Sequence, residues 1–199
     1  PVPGAAPPPP PPTHPDAGAA PPGPGGTAYT DGEDDEMSGK IEAKLADLGI
    51  ALPEPVAPVA NYVPYVRTGN LLFVSGQISL SPEGPVTGQL SAADHVDGTP
   101  PAGSPVAEAQ AAARLSGLSM IAQVKAAIGD LDRVARVVKL TGFVNSTLNF
   151  TQQPVVMNGC SDLMVEVFGD AGRHSRSAVG VSSLPMGVMV EVEGIFEIA

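Results

Sequence analysis

The chain has 199 residues, and its 21 acidic and 10 basic side chains give a net charge of −11 at pH 7. This charge argues against a nucleic acid as the main ligand, because neutralising phosphates requires clustered lysine and arginine. A single cysteine excludes an intrachain disulfide and a cysteine-rich metal site, and three histidines without paired ligand spacing argue against a structural zinc.

Residues 1–36 differ in composition from the rest of the chain. They hold 12 of the 23 prolines and no Leu, Ile, Phe or Met, so they cannot bury enough apolar surface to offset the entropy lost on ordering. We expect a disordered Pro/Gly-rich acidic extension or linker, with polyproline II conformation at Pro7–Pro12. Met37 is a candidate original start of the chain. A proline-rich docking peptide for a protein partner is the other interpretation of this segment.

Residues 37–199 have the length and apolar content of one domain. Their longest apolar runs are far short of a bilayer span. No charged segment followed by an apolar one marks a secretory signal. We therefore expect a cytoplasmic protein that does not bind a membrane.

The first predicted elements are a helix and a β-hairpin. Apolar residues recur at helical spacing over Ser38–Leu48, with Ser38 as the N-cap and Gly49 as the stop. An extended linker follows at Pro53–Pro58. The β-rich segments Tyr62–Arg67 and Leu71–Ser75 then flank a Thr-Gly-Asn turn and predict two paired strands.

The second half of the domain alternates between helices and strands. Glycine and proline at Pro82–Pro105 predict a long loop. The elements after it are, in order, a helix at Ser104–Ile128, a strand at Arg136–Val144, a loop at Asn145–Gln153, a helix at Pro154–Phe168, and strands at Ser177–Ser182 and Val188–Ile198 joined by a Leu-Pro-Met-Gly turn. Cys160, in the second of these helices, is expected to be a small core residue rather than a nucleophile.

The order after the first helix is β-β-α-β-α-β-β, which predicts an α+β fold with two helices on one face of a mixed sheet. The other face is also apolar. Leu71–Val74 is apolar at both parities, and strict alternation puts Val137 and Phe143 on one side of their strand and Leu140 on the other. A sheet that is apolar on both faces, with helices enough for one, predicts that other subunits bury the open face.

A cation and a carboxylate stand on the last two predicted strands. Arg176 lies just before the first, and an arginine fork suits a bidentate carboxylate, although a surface arginine or a structural ion pair explains it equally well. Glu191 shares one face of the last strand with Glu193 and Glu197 by the period of two. This face is either the solvated side of an edge strand, or it is partly buried, in which case Glu191 could act as a general acid or base. On neighbouring strands, Arg176 and Glu191 would hold a small anionic substrate and move a proton beside it.

Three further residues have two interpretations each. Gly76 marks either a β-bulge or a place where a ligand approaches the backbone. His174 is either catalytic or, as is more usual for a loop histidine, solvated. Tyr62 either lines a pocket or packs in the core or an interface. The sequence contains no Gly-rich phosphate loop, nucleophile elbow or metal motif.

Several segments together resemble the RidA/YjgF family of reactive-intermediate deaminases, over roughly Asn61 to Ala199. They are Arg67–Ile78, Val137–Val144, Arg176–Val181 with the following Leu-Pro pair, and Val190–Glu193. The resemblance implies a chorismate-mutase-like fold. It also implies a homotrimer whose three sheets form a central barrel, which would supply the partner for the open sheet face.

The resemblance further implies hydrolysis of small 2-imino and enamine acids, such as 2-aminoacrylate, to 2-keto acids and ammonia. The reaction uses no cofactor and takes place in clefts between subunits. By position, Arg176 corresponds to the arginine that binds the substrate carboxylate, and Glu191 to the glutamate that activates water. Tyr62, Gly76 and Asn158 correspond to residues that line the substrate pocket.

Two other functions remain open from the sequence. Ala178 stands where well-known members of the family carry Cys, which leaves room for a non-catalytic trimer that binds small carboxylates. The other alternative is a protein tethered to a larger partner through the Pro-rich segment 1–36. The endoribonuclease label attached to the family gains no support from the acidic charge of this chain.

Overall fold

The computed structural model describes residues 39–56 and 61–199. The predictions for residues 1–36, for Met37 as a start and for Ser38 as an N-cap lie outside these residues, as does the end of the predicted linker at residues 57–58. Within the described residues, no helix combines the length and the apolar character needed to cross a bilayer.

The described residues form an α+β fold, as predicted. The helices are α1 (Lys40–Asp47), α2 (Pro105–Ile128) and α3 (Gln153–Phe168). The strands are β1 (Tyr65–Thr68), β2 (Leu71–Ile78), β3 (Leu80–Ser81), β4 (Gly84–Pro85), β5 (Val134–Asn145), β6 (Ser175–Val181) and β7 (Val190–Ile198). The segment Pro82–Pro105, which was expected to be loop, contains β4, which forms a short hairpin with β3, and Leu90 of that segment is buried in the core.

The main sheet has the strand order β1-β2-β7-β5-β6. The prediction that the last two strands are neighbours is wrong, because β5 lies between them. The Leu-Pro-Met-Gly segment has the composition of a hairpin turn, but Pro185–Gly187 is a 3-10 turn in a longer connection. The β5–β6 pair is parallel, and α3 provides the crossover that a parallel pair requires.

The helices α2 and α3 cover one face of the sheet, as predicted. Alternate residues of β7, which include Val190, Val192 and Phe196, are fully buried on this face. Leu140 of β5 lies there too. Val137 lies there as well, because an irregularity in the β5–β7 register between Val137 and Lys139 interrupts the alternation. The prediction that Val137 shares a side with Phe143 is therefore wrong.

The opposite face of the sheet is open in the single chain. Val66 and Phe73 are 54% and 39% exposed on it. They line a shallow cavity of about 380 Å³ together with Ile195, Thr141 and Glu193. A contiguous group of branched and aromatic apolar side chains on an uncovered sheet face is unusual in a monomer, so this face has the character of an interface.

The hairpin of β1 and β2 differs from the prediction in one respect. Thr68 pairs with Leu71 across a tight turn that contains Gly69 at φ 58°, as the sequence indicated. However, β1 begins only at Tyr65, so Tyr62 lies in the irregular chain before the strand and is 55% exposed. The prediction that the strand begins at Tyr62 is wrong, because the ladder with β2 starts only at the Tyr65–Val74 pair.

A side chain far away in the sequence caps α1. The backbone N–H groups of Lys40 and Ile41 donate to the carboxylate of Asp132, each at 2.8 Å. The helix itself begins after Gly39, which is left-handed and has no side chain to serve as a cap. Asp132 therefore satisfies amides that have no partner within the helix and fixes the start of α1 against the α2–β5 connection.

Candidate active site

Arg176 projects from β6 toward the helices. It pairs with Leu140 of the core, and Ala178, two residues later, packs against the core on the same side. The Nη1 group of Arg176 donates to Oδ1 of Asn158 and to Oγ of Ser161, both at 3.0 Å. Both partners belong to α3, so this helix fixes the orientation of the guanidinium.

The two hydrogen bonds leave one edge of the Arg176 guanidinium available. A guanidinium has five N–H donors, and Nη1 carries two of them. Within residues 39–56 and 61–199, Arg176 forms no ion pair with a carboxylate. The remaining donors on Nε and Nη2 form a planar fork, which matches the two oxygens of a carboxylate.

His174 extends this polar cluster. Its Nδ1 lies 2.7 Å from the carbonyl oxygen of Gly172, and its Nε2 lies 3.0 Å from Oγ of Ser161. Burial lowers the pKa of His174 from its ordinary value, the hydrogen bond to Gly172 opposes this shift, and the positive charge of Arg176 adds to it. The expectation of a solvated loop histidine is therefore wrong, because the ring is half-buried between α3 and the turn at Gly169–Gly172.

Cys160 lies beside the cluster, but it belongs to the core. Its side chain is fully buried, and burial raises the pKa of its thiol to about 12, with a smaller opposing effect of Arg176. A thiol with such a pKa is protonated at neutral pH and is a poor nucleophile. The prediction of a structural cysteine is confirmed.

Glu191 lies on the open face of the sheet, where it pairs with Ile78 of β2 on one side and with Phe143 of β5 on the other. Burial raises the pKa of Glu191 from its ordinary value, and the neighbouring charge of Glu193 raises it further. The side chain is half-buried, on a strand with a partner on each side, which favours the acid–base interpretation over the exposed edge.

Gly76 provides the space for the Glu191 carboxylate. The β2–β7 register shifts between Val74 and Gln77, so Gly76 lies in a β-bulge. A Cβ built on Gly76 would collide with Oε1 of Glu191. The bulge interpretation of this glycine is therefore confirmed, and the Glu191 side chain occupies the space above it.

The structure therefore gathers the predicted residues into two groups. Arg176 and Asn158 lie together on the helix side of the sheet, whereas Glu191 and Gly76 lie together on the open side. The two groups are also displaced along the strands. Arg176 pairs with Leu140 of β5, and Leu140 pairs with Gly194 of β7, so Arg176 is level with Gly194 and not with Glu191. One chain does not bring Arg176 and Glu191 into the same cleft.

The remaining predicted residue, Tyr62, contacts neither group in any hydrogen bond of the described chain, and it is exposed. Ser161 was missed from the sequence, although a signal was present. It follows Asn158 by three residues on α3 and therefore lies on the same helix face. Serine gives little indication of function by composition, so its role emerges only from the contact with Arg176.

One acidic cluster resembles a metal site in composition. Carboxylate oxygens of Glu42, Asp130 and Asp132 lie within 4.8 Å of one another. Asp132 accepts the amides at the start of α1, Asp130 accepts the amide of Asp132, and Glu42 accepts the amide of Leu131. These bonds give the cluster a structural role in fixing α1 to the chain before β5.

Comparison with known proteins is consistent with this fold. The family profile described as YjgF/chorismate mutase-like, putative endoribonuclease matches residues 42–197. Protein TCP17 of Trypanosoma cruzi is 50% identical over 163 residues, which cover 81% of this chain and 96% of that protein.

Two solved structures are also similar. Protein Atu1372 of Agrobacterium tumefaciens, described as of unknown function, is 45% identical with a TM-score of 0.69 and covers 83% of this chain and 97% of its own. A protein of Shewanella oneidensis MR-1 with an endoribonuclease description is 34% identical with a TM-score of 0.70, covering 79% of this chain and 99% of its own. Because the family profile spans most of the domain, the chain belongs to the RidA/YjgF family and has its chorismate-mutase-like fold.

Proposed function

We propose that this protein hydrolyses small 2-imino and enamine acids of the 2-aminoacrylate type to 2-keto acids and ammonia. The observation that carries the proposal is the free fork of Arg176. Its guanidinium is held by Asn158 and Ser161, and it forms no ion pair with a carboxylate in the described chain. A fixed and unpaired fork of this kind is suited to binding the carboxylate of a small acid.

Glu191 supplies the proton transfers in this proposal. The imine carbon of the substrate accepts a water molecule while Glu191 takes one proton from that water and passes it to the imine nitrogen. The hydroxyl proton then moves to the nitrogen, the C–N bond breaks, and ammonia leaves as the C=O bond forms. A raised pKa, for which burial is the first cause, makes the Glu191 carboxylate a stronger base and its acid form more accessible.

The proposal requires a second copy of the chain. Arg176 and Glu191 project from opposite faces of one sheet, so Arg176 of one subunit must meet Glu191 of another. A homotrimer with the open faces turned inward would bury Val66 and Phe73 and form three equivalent clefts. Closed symmetric assemblies of this kind are the common form of homo-oligomers.

The test is ammonia release from enzymatically generated 2-aminoacrylate. Wild type should accelerate it, and both Arg176→Ala and Glu191→Ala should reduce the rate by about 100-fold or more, because each removes a group that acts on the substrate. Glu83→Gln, at an exposed position between β3 and β4, serves as the control. Wild-type activity no greater than the spontaneous rate would refute the proposal.

A mixing experiment tests whether the cleft is shared between subunits. Arg176→Ala and Glu191→Ala chains are unfolded together and refolded as one mixture. If each cleft takes Arg176 from one subunit and Glu191 from its neighbour, about a quarter of the clefts in random trimers regain both residues. Activity of the mixture that stays at the level of either variant alone would show that the two residues do not act in one shared cleft.

A second candidate function is favoured by the separation of the two groups. Arg176 is preorganised within one chain, whereas Glu191 joins it only through assembly, so the protein would bind small carboxylates even if the cleft were not catalytic. Binding of pyruvate that depends on Arg176, with no turnover of 2-aminoacrylate, would support this alternative.

A further inference from the structure

The polar cluster around Arg176 has a hydrogen-bond direction that the partners themselves determine. The carbonyl oxygen of Gly172 can only accept, so the contact at 2.7 Å requires a proton on Nδ1 of His174. The Nε2 atom of a neutral His174 then carries a lone pair and accepts from the hydroxyl of Ser161 at 3.0 Å. Ser161 in turn accepts from Nη1 of Arg176 at 3.0 Å.

These contacts form one continuous chain from the sheet to the turn after α3. The donor-to-acceptor direction is the same in all three hydrogen bonds: Arg176 donates to Ser161, Ser161 donates to His174, and His174 donates to the carbonyl oxygen of Gly172. The lowered pKa of His174, which is caused first by its burial, keeps the ring neutral at physiological pH and so preserves this direction. Asn158 accepts a second hydrogen bond from Nη1 of Arg176, so that both contacts fix the orientation of the guanidinium.

From this geometry we infer that His174 and Ser161 are positioning residues for substrate binding, which hold the Nε/Nη2 edge of Arg176 toward the carboxylate. His174 acts through the Ser161 hydroxyl, which it orients by accepting its proton. The inference rests on the proposed function only in that the ligand of Arg176 is a small carboxylate. It assigns substrate affinity, rather than the chemical step, to a histidine and a serine that the sequence did not assign to substrate binding.

The alternative is that His174 merely holds the turn at Gly169–Gly172, through its bond to the Gly172 carbonyl. Two substitutions separate these roles. The side-chain oxygen of His174→Gln reaches the position of Nε2 and can accept from Ser161, whereas the amide of His174→Asn reaches only the Gly172 side. Ser161→Ala removes the hydroxyl that links Arg176 to His174, while α3 keeps its shape, because the side chain lies on the helix surface.

The experiment measures pyruvate affinity by calorimetry and KM and kcat with 2-aminoacrylate. His174→Asn and Ser161→Ala should weaken pyruvate binding and raise KM by about tenfold, the loss expected for one hydrogen bond to a charged group, with kcat nearly unchanged. His174→Gln should restore most of the affinity. Ser119→Ala, the same exchange on α2, is the matched control, and thermal unfolding confirms that every variant is folded.

The outcomes separate the inference from the proposed function. Pyruvate affinity that is unchanged in Arg176→Ala would refute the carboxylate anchor itself. Affinity that is lost in Arg176→Ala but unchanged in Ser161→Ala and His174→Asn would leave the anchor intact and overturn the positioning role. Affinity that is retained in His174→Asn but lost in His174→Gln, with a lower melting temperature of His174→Gln, would assign His174 to the turn alone and also overturn the inference.

Discussion

At Arg176, two neutral side chains take the place of the counter-ion that usually accompanies a partly buried guanidinium. Asn158 and Ser161 orient the group without neutralising it. Glu191 is held differently, by the bulge at Gly76 and by burial that disfavours its charge. Each residue is thus kept in a state that favours a partner of the opposite kind: an anion at Arg176 and a proton at Glu191.

Gly76→Ala should displace the Glu191 carboxylate without unfolding the protein. The new Cβ would collide with the end of a flexible side chain rather than with backbone, so the carboxylate moves aside at small cost. Misplacement of a reacting group by about 1 Å can lower a rate by about 100-fold, and we expect a loss of this order in ammonia release.

The control for Gly76→Ala is the same change made in a Glu191→Ala background. With the carboxylate already absent, the second substitution should lower the rate no further, because the two changes act on one group. Additive losses in the double variant would mean that Gly76 contributes through something other than the Glu191 carboxylate.

Glu191→Gln should stabilise the fold at neutral pH. A carboxyl whose pKa is raised on folding favours the folded state at low pH, and that contribution is lost as the pH rises from the ordinary value of 4.5 through the raised value. The gain should stay below about 1 kcal/mol, because the half-exposed group is screened by water. Thermal unfolding should show a higher melting temperature for the variant at pH 7 and none of this advantage below pH 4.5. Equal curves for variant and wild type at both pH values would contradict the raised pKa.

At the scale of elements, the sequence predicted the helices better than the strand neighbours. Capping by Ser104 and the stop at Gly129 fix α2 within a residue of the expected bounds. The position of β6 could not be deduced, because the segment between it and β7 has the composition of a hairpin turn while the pairing partner, β5, is far away in the sequence. That single error placed Arg176 and Glu191 on adjacent strands.

The same limit applies to the faces of the sheet. Alternation correctly placed Glu191 with Glu193 on the side opposite Val192. It failed at Val137, because a bulge adds a residue that local sequence does not reveal. The side on which Arg176 projects depends on its register with β5, which only the three-dimensional pairing defines.

Asp132→Ala should destabilise the docking of α1. It removes the acceptor of the Lys40 and Ile41 amides, and loss of a helix N-cap costs about 1 kcal/mol. We expect the melting temperature to fall by about 2–4 °C for a domain of this size. Asp47→Ala, an exposed carboxylate at the other end of α1, should leave it nearly unchanged. Equal effects of the two substitutions would argue against the capping role.

For the whole molecule, the open sheet face determines the assembly that we propose. Phe73→Asp places a charge on this face beside Ile195 and should convert the oligomer to monomers, because an unpaired buried charge is costly. Leu148→Asp is the matched control, since Leu148 is 97% exposed and lies away from the face. Light scattering after size exclusion measures the mass of each variant. A wild-type chain that is already monomeric would contradict the proposed assembly.

The place of β6 at the edge of the sheet has a consequence for its motions. Within the described chain, β6 is paired with one strand only, β5, whereas β7 is paired on both sides. An edge strand with one partner opens locally at a lower free energy than the strands inside the sheet. Amide hydrogen exchange in β6 should therefore be faster than in β7, and a bound carboxylate on Arg176 should slow it, so that ligand affinity can be read from the protection of a single strand.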